Sequence, residues 1–196
     1  MIYCAGKIEN FAFAKSIGVG LIDSAIHLTR SILYDKPNEI VFVGTCGNYS
    51  SVQPLLEVFE TASACNIELS FLQGQSYTPL DNFLTNVSRE TMAKDSNPLT
   101  QNLTKTQKII NSSNYISTDS KLAEKMVKLG ILYENMEFFS VLQVAQTFEL
   151  PAIGIFCSTN YIHKDAQKEF FANHKTAMQK LESYIKDKLD STLGKQ

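Results

Sequence analysis

Glu137 stands at the mouth of an almost wholly apolar run: Phe138, Phe139, Val141, Leu142, Val144, Ala145 and Phe148. The pattern predicts a buried helix that ends before Pro151. An unpaired carboxylate beside such a helix is costly to bury, so its presence marks a candidate site. Two further stretches can furnish chemistry. Gly44-Thr45-Cys46-Gly47 closes the apolar run Ile40–Val43, and the carboxyl ends of parallel strands are favoured places for ligands. Thr159-Asn160-Tyr161-Ile162 follows the apolar run Ala152–Cys157 in the same way. The remaining reactive residue types point elsewhere. Cys4, Cys46, Cys65 and Cys157 are widely spaced and show no CxxC pairing, which predicts buried free thiols rather than disulfides or a zinc site. Cys46 has no base oriented toward it in the sequence, so a packing role at the strand end is expected. His27 lies on an apolar helix, while His163 and His174 lack metal-ligand spacing, and no metal site is expected.

The elements that must position these groups alternate between strand and helix. Strands are predicted over Met1–Ala5, Phe11–Lys15, Ile40–Val43, Leu55–Ala62, Ile67–Leu72, Lys108–Asn111, Ile131–Tyr133 and Ala152–Cys157. Ser16-Ile-Gly-Val-Gly20 reads as a glycine turn. Leu21–Leu33 reads as a helix with a wide buried face of Leu21, Ile22, Ala25, Ile26, Leu28, Ile32 and Leu33, ended by Asp35-Lys-Pro37. A second helix starts at a Thr118 or Asp119 cap and stops at Gly130. Lys164–Leu189 is an amphipathic helix with His174 at the edge of its apolar face. Residues 74–107, rich in Gln, Ser, Thr, Asn and Pro, read as a long loop. The alternation predicts an α/β domain of three layers, helices on both faces of a central mixed sheet, over residues 1–196.

Bulk properties narrow the partners. The 196 residues suit one domain with a sizeable core, and 44% are hydrophobic. A net charge of -2 gives no global attraction to nucleic acid or an anionic membrane. No signal-peptide pattern and no apolar run long enough to span a bilayer is present, so a reducing, cytoplasmic setting is expected. Arg30 and Arg89 are the only arginines, which limits the preferred bidentate ligands for phosphate.

Several motifs in order resemble the purine nucleoside phosphorylases and the related 5'-methylthioadenosine/S-adenosylhomocysteine nucleosidases. Val43-Gly-Thr-Cys-Gly47 is similar to their VGSCG or TGSAG strand end. Tyr115-Ile-Ser-Thr-Asp119, Gly130-Ile-Leu132 and Asn135-Met-Glu137 follow the hexameric phosphorylases without gaps, where an aromatic pair, S-P-D, G-I-L and E-M-E occur. Thr159-Asn-Tyr-Ile162 stands where they have S-D-H-I. The likeness covers residues 12–63 and 108–190 and implies a phosphorylase/hydrolase-like three-layer fold. It further implies cleavage of the N-glycosidic bond of a purine nucleoside, by phosphate or by water, without a cofactor beyond phosphate as a co-substrate. A homo-oligomer, a dimer or a trimer of dimers, is implied as well.

Residue by residue, the resemblance makes Glu137 the carboxylate that grips the ribose hydroxyls and stabilises an oxocarbenium-like sugar. Met136 packs on that sugar, Tyr115 and Ile116 flank the base, and Asn135, Thr45 and Cys46 complete the substrate site. Asn160 stands in place of the Asp that protonates purine N7. An amide has no net proton to give, but it can hydrogen-bond N7 and O6, which biases an active enzyme toward 6-oxopurines. Phe42 stands where the phosphorylases carry a phosphate-binding Arg, and by their measure the chain starts tens of residues late. Glu9, in Gly6-Lys-Ile-Glu9, is the candidate water-activating base. The alternative to an enzyme is a nucleoside- or base-binding protein on the same scaffold with its chemistry impaired.

Overall fold

A computed structural model describes residues 1–86 and 108–193. Nine strands and five helices follow one another in it. They are β1 (Ile2–Cys4), β2 (Lys15–Ser16), α1 (Leu21–Asp35), β3 (Ile40–Asn48), β4 (Val58–Thr61), β5 (Ser63–Cys65), α2 (Leu69–Leu72) and β6 (Phe83–Thr85), then β7 (Ile109–Ser112), α3 (Ser120–Lys128), β8 (Ile131–Asn135), α4 (Phe138–Thr147), β9 (Ala152–Tyr161) and α5 (Ala166–Leu193). All the strands join one mixed sheet. Its path runs β2-β1-β3-β8-β7-β5-β6, with β9 on the other side of β3 and β4 beyond β9. The expected α/β fold with a mixed sheet between helices is therefore present.

β3 is the hinge of this sheet. All nine of its residues are buried, as a strand covered on both faces requires. It pairs in parallel with β1 and along its whole length with β9, then passes to antiparallel pairing with β8 at Gly47 and Asn48. The register with β9 shifts between Cys46 and Gly47. Gly44–Gly47, expected to close the strand after Val43, is thus itself strand, and its glycines serve close approach. A Cβ on Gly44 would lie 3.1 Å from a Glu9 carboxylate oxygen, and one on Gly47 would lie 3.1 Å from the Asn160 amide. One face of the sheet packs on α1 and α4 around Phe42, Phe138 and Phe156, whose ring centroids lie 5.1–6.2 Å apart. The other packs on α5 through Ala177, Leu181 and Ile185.

Other expectations need correction. The strand over Phe11–Lys15 shrinks to Lys15–Ser16, because Phe11 is buried from within a turn. The strand expected over Ile67–Leu72 is absent: Leu69–Leu72 forms the short helix α2, and the Ile67 N–H before it donates to the Asn111 amide oxygen at 2.7 Å. Leu55–Ala62 contains a shorter strand, β4, and β5 follows it unannounced. Of the long loop, residues 74–86 are described and hold β6, which pairs with β5; residues 87–107 lie outside the described residues. The wide buried face of α1 is narrower than its composition implies. Ser24, Leu28, Ser31 and Ile32 face inward, while Ile22, Ile26 and Leu33 are exposed. Asp119 does cap α3, accepting from the Lys121 N–H at 2.8 Å, and Gly130 follows it with φ +79°.

Candidate active site

Two turns and two strand ends converge on one cavity. After β1 the chain reverses at Gly6-Lys7-Ile8-Glu9, where Gly6 and Glu9 exchange both backbone hydrogen bonds at 3.1 and 3.0 Å. The turn swings the Glu9 carboxylate over the backbone of β3. There it accepts hydrogen bonds from the Thr45 N–H at 3.2 Å and from the Thr45 hydroxyl. Across the cavity the glycine turn before α1 ends at Gly20, with φ +87°. Its N–H donates to Glu137 Oε1 at 2.9 Å, while the next N–H, of Leu21, donates to Asn114 Oδ1 at 2.8 Å. A side chain at Gly20 would strike that Asn114 oxygen at 2.7 Å, so both conformation and space demand glycine.

Glu137 is 3% exposed. Its carboxyl is pushed up to about 7, first by loss of water on burial and then by repulsion from Glu9; the Gly20 N–H opposes these. Burial also raises Glu9, against the pull of the Thr45 hydrogen bonds and of His174. Asn135 holds the start of α4. Its Oδ1 accepts from the N–H groups of Glu137 at 2.8 Å and Phe138 at 2.9 Å, and its Nδ2 donates to the Thr45 carbonyl at 3.1 Å. It lines the cavity, yet its amide is engaged in fixing Glu137 and β3.

Asn160 projects from the end of β9. Its Oδ1 accepts from the Thr159 hydroxyl at 2.9 Å and its Nδ2 donates to the Tyr161 carbonyl at 3.2 Å. With two N–H bonds on Nδ2, one remains for a ligand. The cavity has a volume of about 370 Å³, within the usual range for small-molecule sites. Every sequence-predicted site residue lines it: Glu9, Thr45, Cys46, Tyr115, Ile116, Asn135, Met136, Glu137 and Asn160. Tyr115 and Ile116 form its lip and are 82% and 61% exposed. The Cys46 thiol is raised well above the usual thiol range by burial, so it stays neutral. Among the described residues no His, Cys, Asp and Glu side chains gather closely enough to hold a metal ion.

Some of the lining went unforeseen. Glu134 on β8 is buried, accepts from the Tyr49 hydroxyl at 2.8 Å and from the Ser117 N–H at 3.0 Å, and so anchors the Tyr115–Ser117 segment. Its signal was a glutamate next to Asn135, which a motif alignment passes over. Lys7, Ile8, Val19, Phe170 and Phe171 also face the cavity; nothing in their local sequence separates them from turn and helix-surface residues. Phe42 is wholly buried against Phe138 and Phe156 and does not reach the cavity. Arg30 lines a separate groove with Lys15 and His27, and Arg89 lies outside the described residues.

Strand ends of a mixed sheet that converge on a carboxylate-lined, largely apolar cavity define an α/β protein with a cavity of small-molecule size. The chain belongs to the phosphorylase superfamily, whose family model matches residues 2–192; this is a superfamily of nucleoside phosphorylases and nucleosidases. The fold is similar to a mutant of futalosine hydrolase from Helicobacter pylori, with TM-score 0.76, 16% identity and 97% of each chain covered. It is equally similar to a mutant 5'-methylthioadenosine/S-adenosylhomocysteine nucleosidase from the same organism, solved with 5'-methylthioadenosine in its active site, with TM-score 0.76, 14% identity and 97% of each chain covered. The nucleosidase of Streptococcus pneumoniae with a transition-state inhibitor gives TM-score 0.72 and 12% identity over 94% of this chain and 95% of that one. At these identities the likeness shows the fold. A search of curated proteins returned no match.

Proposed function

We propose that this protein hydrolyses the N-glycosidic bond of a purine nucleoside, with a preference for 6-oxopurine bases. The observation that carries hydrolysis over phosphorolysis is the charge of the cavity wall. Glu9, Glu134 and Glu137 line it, and Lys7, exposed on its turn, is the one cationic residue among the described lining residues. A phosphate dianion between Glu9 and Glu137 would be repelled by both, whereas a water beside Glu9 gains a base. In this reading Glu9 takes a proton from water, whose oxygen forms a bond to C1′ as the C1′–N9 bond breaks. Glu137 holds the ribose hydroxyls and stabilises the positive charge that develops on the sugar, with Met136 against the sugar. Tyr115 and Ile116 cover the base. The free N–H of Asn160 steadies negative charge on the departing purine, which takes its proton from solvent. Thr45 and Asn135 hold Glu9 and Glu137 in place. A homo-oligomer belongs to the same reading.

The test is incubation of purified protein with inosine, 5'-methylthioadenosine and futalosine, each with and without phosphate, followed by chromatography of the free base. Base release independent of phosphate is expected, faster for the 6-oxopurine nucleosides inosine and futalosine than for the 6-aminopurine 5'-methylthioadenosine, and lowered about 100-fold or more by Glu9→Gln. Release that requires phosphate and yields a sugar 1-phosphate would overturn hydrolysis. A second reading is favoured by one residue, the amide at Asn160 in place of an acid: a nucleoside-binding protein without turnover. Thermal stabilisation by inosine with no base released would establish it.

A further inference from the structure

β9 loses its outer strand neighbour just before Asn160. β4 borders it only as far as Cys157. On the inner side the register with β3 slips, so that Gly47 faces Asn160 and Thr159 has no opposite number. The backbone groups left on the outer edge are met by α5. The Asn173 amide donates to the Thr159 carbonyl at 2.8 Å, and the Glu169 carboxylate accepts from the Tyr161 N–H at 2.9 Å. Alternate residues of a strand present their backbone groups to the same edge, and residues four apart share one face of a helix. One face of α5 thus supplies a donor and an acceptor where a further strand would. Asn160 sits between the two bonded groups, and its own amide leans on the same two neighbours, Thr159 and Tyr161. The path of residues 159–161 therefore decides where that amide points. Neither Glu169 nor Asn173 lines the cavity, whereas Phe170 beside Glu169 does. We propose that Glu169 and Asn173 are positioning residues, a two-point clamp that holds the peptide groups on either side of Asn160 and so sets its amide against the purine.

Glu169 has a second tie, its other oxygen lying 3.1 Å from His163 Nε2. Glu169→Gln separates the two, because an amide oxygen still accepts from the Tyr161 N–H while the ion pair is lost. The packing of α5 on the sheet rests on Ala177, Leu181 and Ile185 further along, so variants at the two half-buried clamp positions should fold, which circular dichroism checks. The clamp itself can be measured without turnover; its effect on the base rests on the proposed role of Asn160. Protein labelled with ¹⁵N-asparagine is compared by NMR as wild type, Glu169→Ala, Glu169→Gln and Asn173→Ala, with the Asn160 side-chain signal assigned by its loss in Asn160→Ala. In both Ala variants at the clamp that signal should shift and its exchange with water should quicken about fivefold or more, as loss of one hydrogen bond allows. In Glu169→Gln it should stay as in wild type. Inosine and adenosine differ at the base alone, so the ratio of their kcat/KM values should fall about threefold or more in the Ala variants, which a general loss of stability would not bring about. An Asn160 signal unmoved in the folded Ala variants overturns the proposal. So does a Gln variant that behaves like Glu169→Ala, since the His163 pair would then be what matters, and so does base release with an unaltered ratio. A moved signal without base release upholds the clamp and removes only the hydrolytic reading.

Discussion

Glu137 is a carboxylate held where its charge is least welcome. The Gly20 N–H, and after it Asn135 and the Met136 backbone, favour its ionised form, while burial and Glu9 oppose it and prevail. The ordinary value near 4.5 rises to about 7 in the folded chain, so between these values the native state keeps a proton that the unfolded state has released. Stability from this group is therefore greatest at acid pH, falls as pH rises through that window, and levels off above it. The full difference is on the order of 3 kcal/mol. Glu9 and Glu134 are raised too and act in the same direction. Denaturant melts should give a more stable protein near the acid end of this window than above it. Glu137→Gln, whose amide oxygen still accepts from Gly20, should flatten that slope and raise stability on the alkaline side; an unchanged slope would show that Glu137 is solvated and unshifted. Asn160 allows a test in the opposite sense. Asn160→Asp supplies a general acid beside the departing base and is expected to raise hydrolysis of 6-aminopurine nucleosides about tenfold or more, read by the same base-release assay.

Among the elements, β3 sets the distances. Its backbone at Gly44 lies under the Glu9 carboxylate, and a Cβ there would press on both a Glu9 oxygen and the Phe42 ring at 3.1 Å. Gly44→Ala should leave the fold intact, because the Glu9 turn can shift outward. It should lower base release by about threefold or more, since the Glu9 oxygen must give way by a few tenths of an ångström and a full ångström can cost about 100-fold. Unaltered kinetics in the variant would mean that Glu9 does not act from its present position. The same strand shows how far the sequence could be read. Ile40–Val43 announced a buried strand, and the order of motifs brought Tyr115, Met136, Glu137 and Asn160 to one place before any coordinates, while Glu9 entered only as the nearby candidate for a base. Hidden from view was everything decided by pairing partners. β3 runs on through two glycines because β9 and β8 supply its hydrogen bonds, and Phe11 is buried by the turn it sits in. Ile67–Leu72 forms no strand because Asn111 takes the Ile67 N–H that a strand would need, and Leu69–Leu72 turns helical. Glu134 went unread because its role is to hold Ser117, a contact that local patterning cannot reveal.

For the molecule as a whole, the unaccounted surface is on α1. Ile22, Ile26, Leu33 and Tyr34 are 58–77% exposed, although the apolar count of the helix had suggested a wide buried face. Single exposed apolar residues are ordinary, but Ile22, Ile26 and Leu33 share one face of the helix and form an apolar ridge, with Tyr34 beside it. The lip of the cavity is exposed as well, at Tyr115 and Ile116, and an open lip suits a wall completed by another subunit. A homo-oligomer that buried the α1 ridge would account for this surface, and it is the assembly that the proposed reading expects. Sedimentation velocity should then give a mass of at least twice 21.9 kDa. The substitution Ile26→Glu, which places a charge in the middle of the ridge, should shift the protein to monomer by leaving that charge unpaired in a desolvated contact. Because Ile26 faces away from the core, the variant should keep its secondary structure by circular dichroism. A wild-type protein that sediments as a monomer would instead leave the ridge in water and the cavity complete within a single chain.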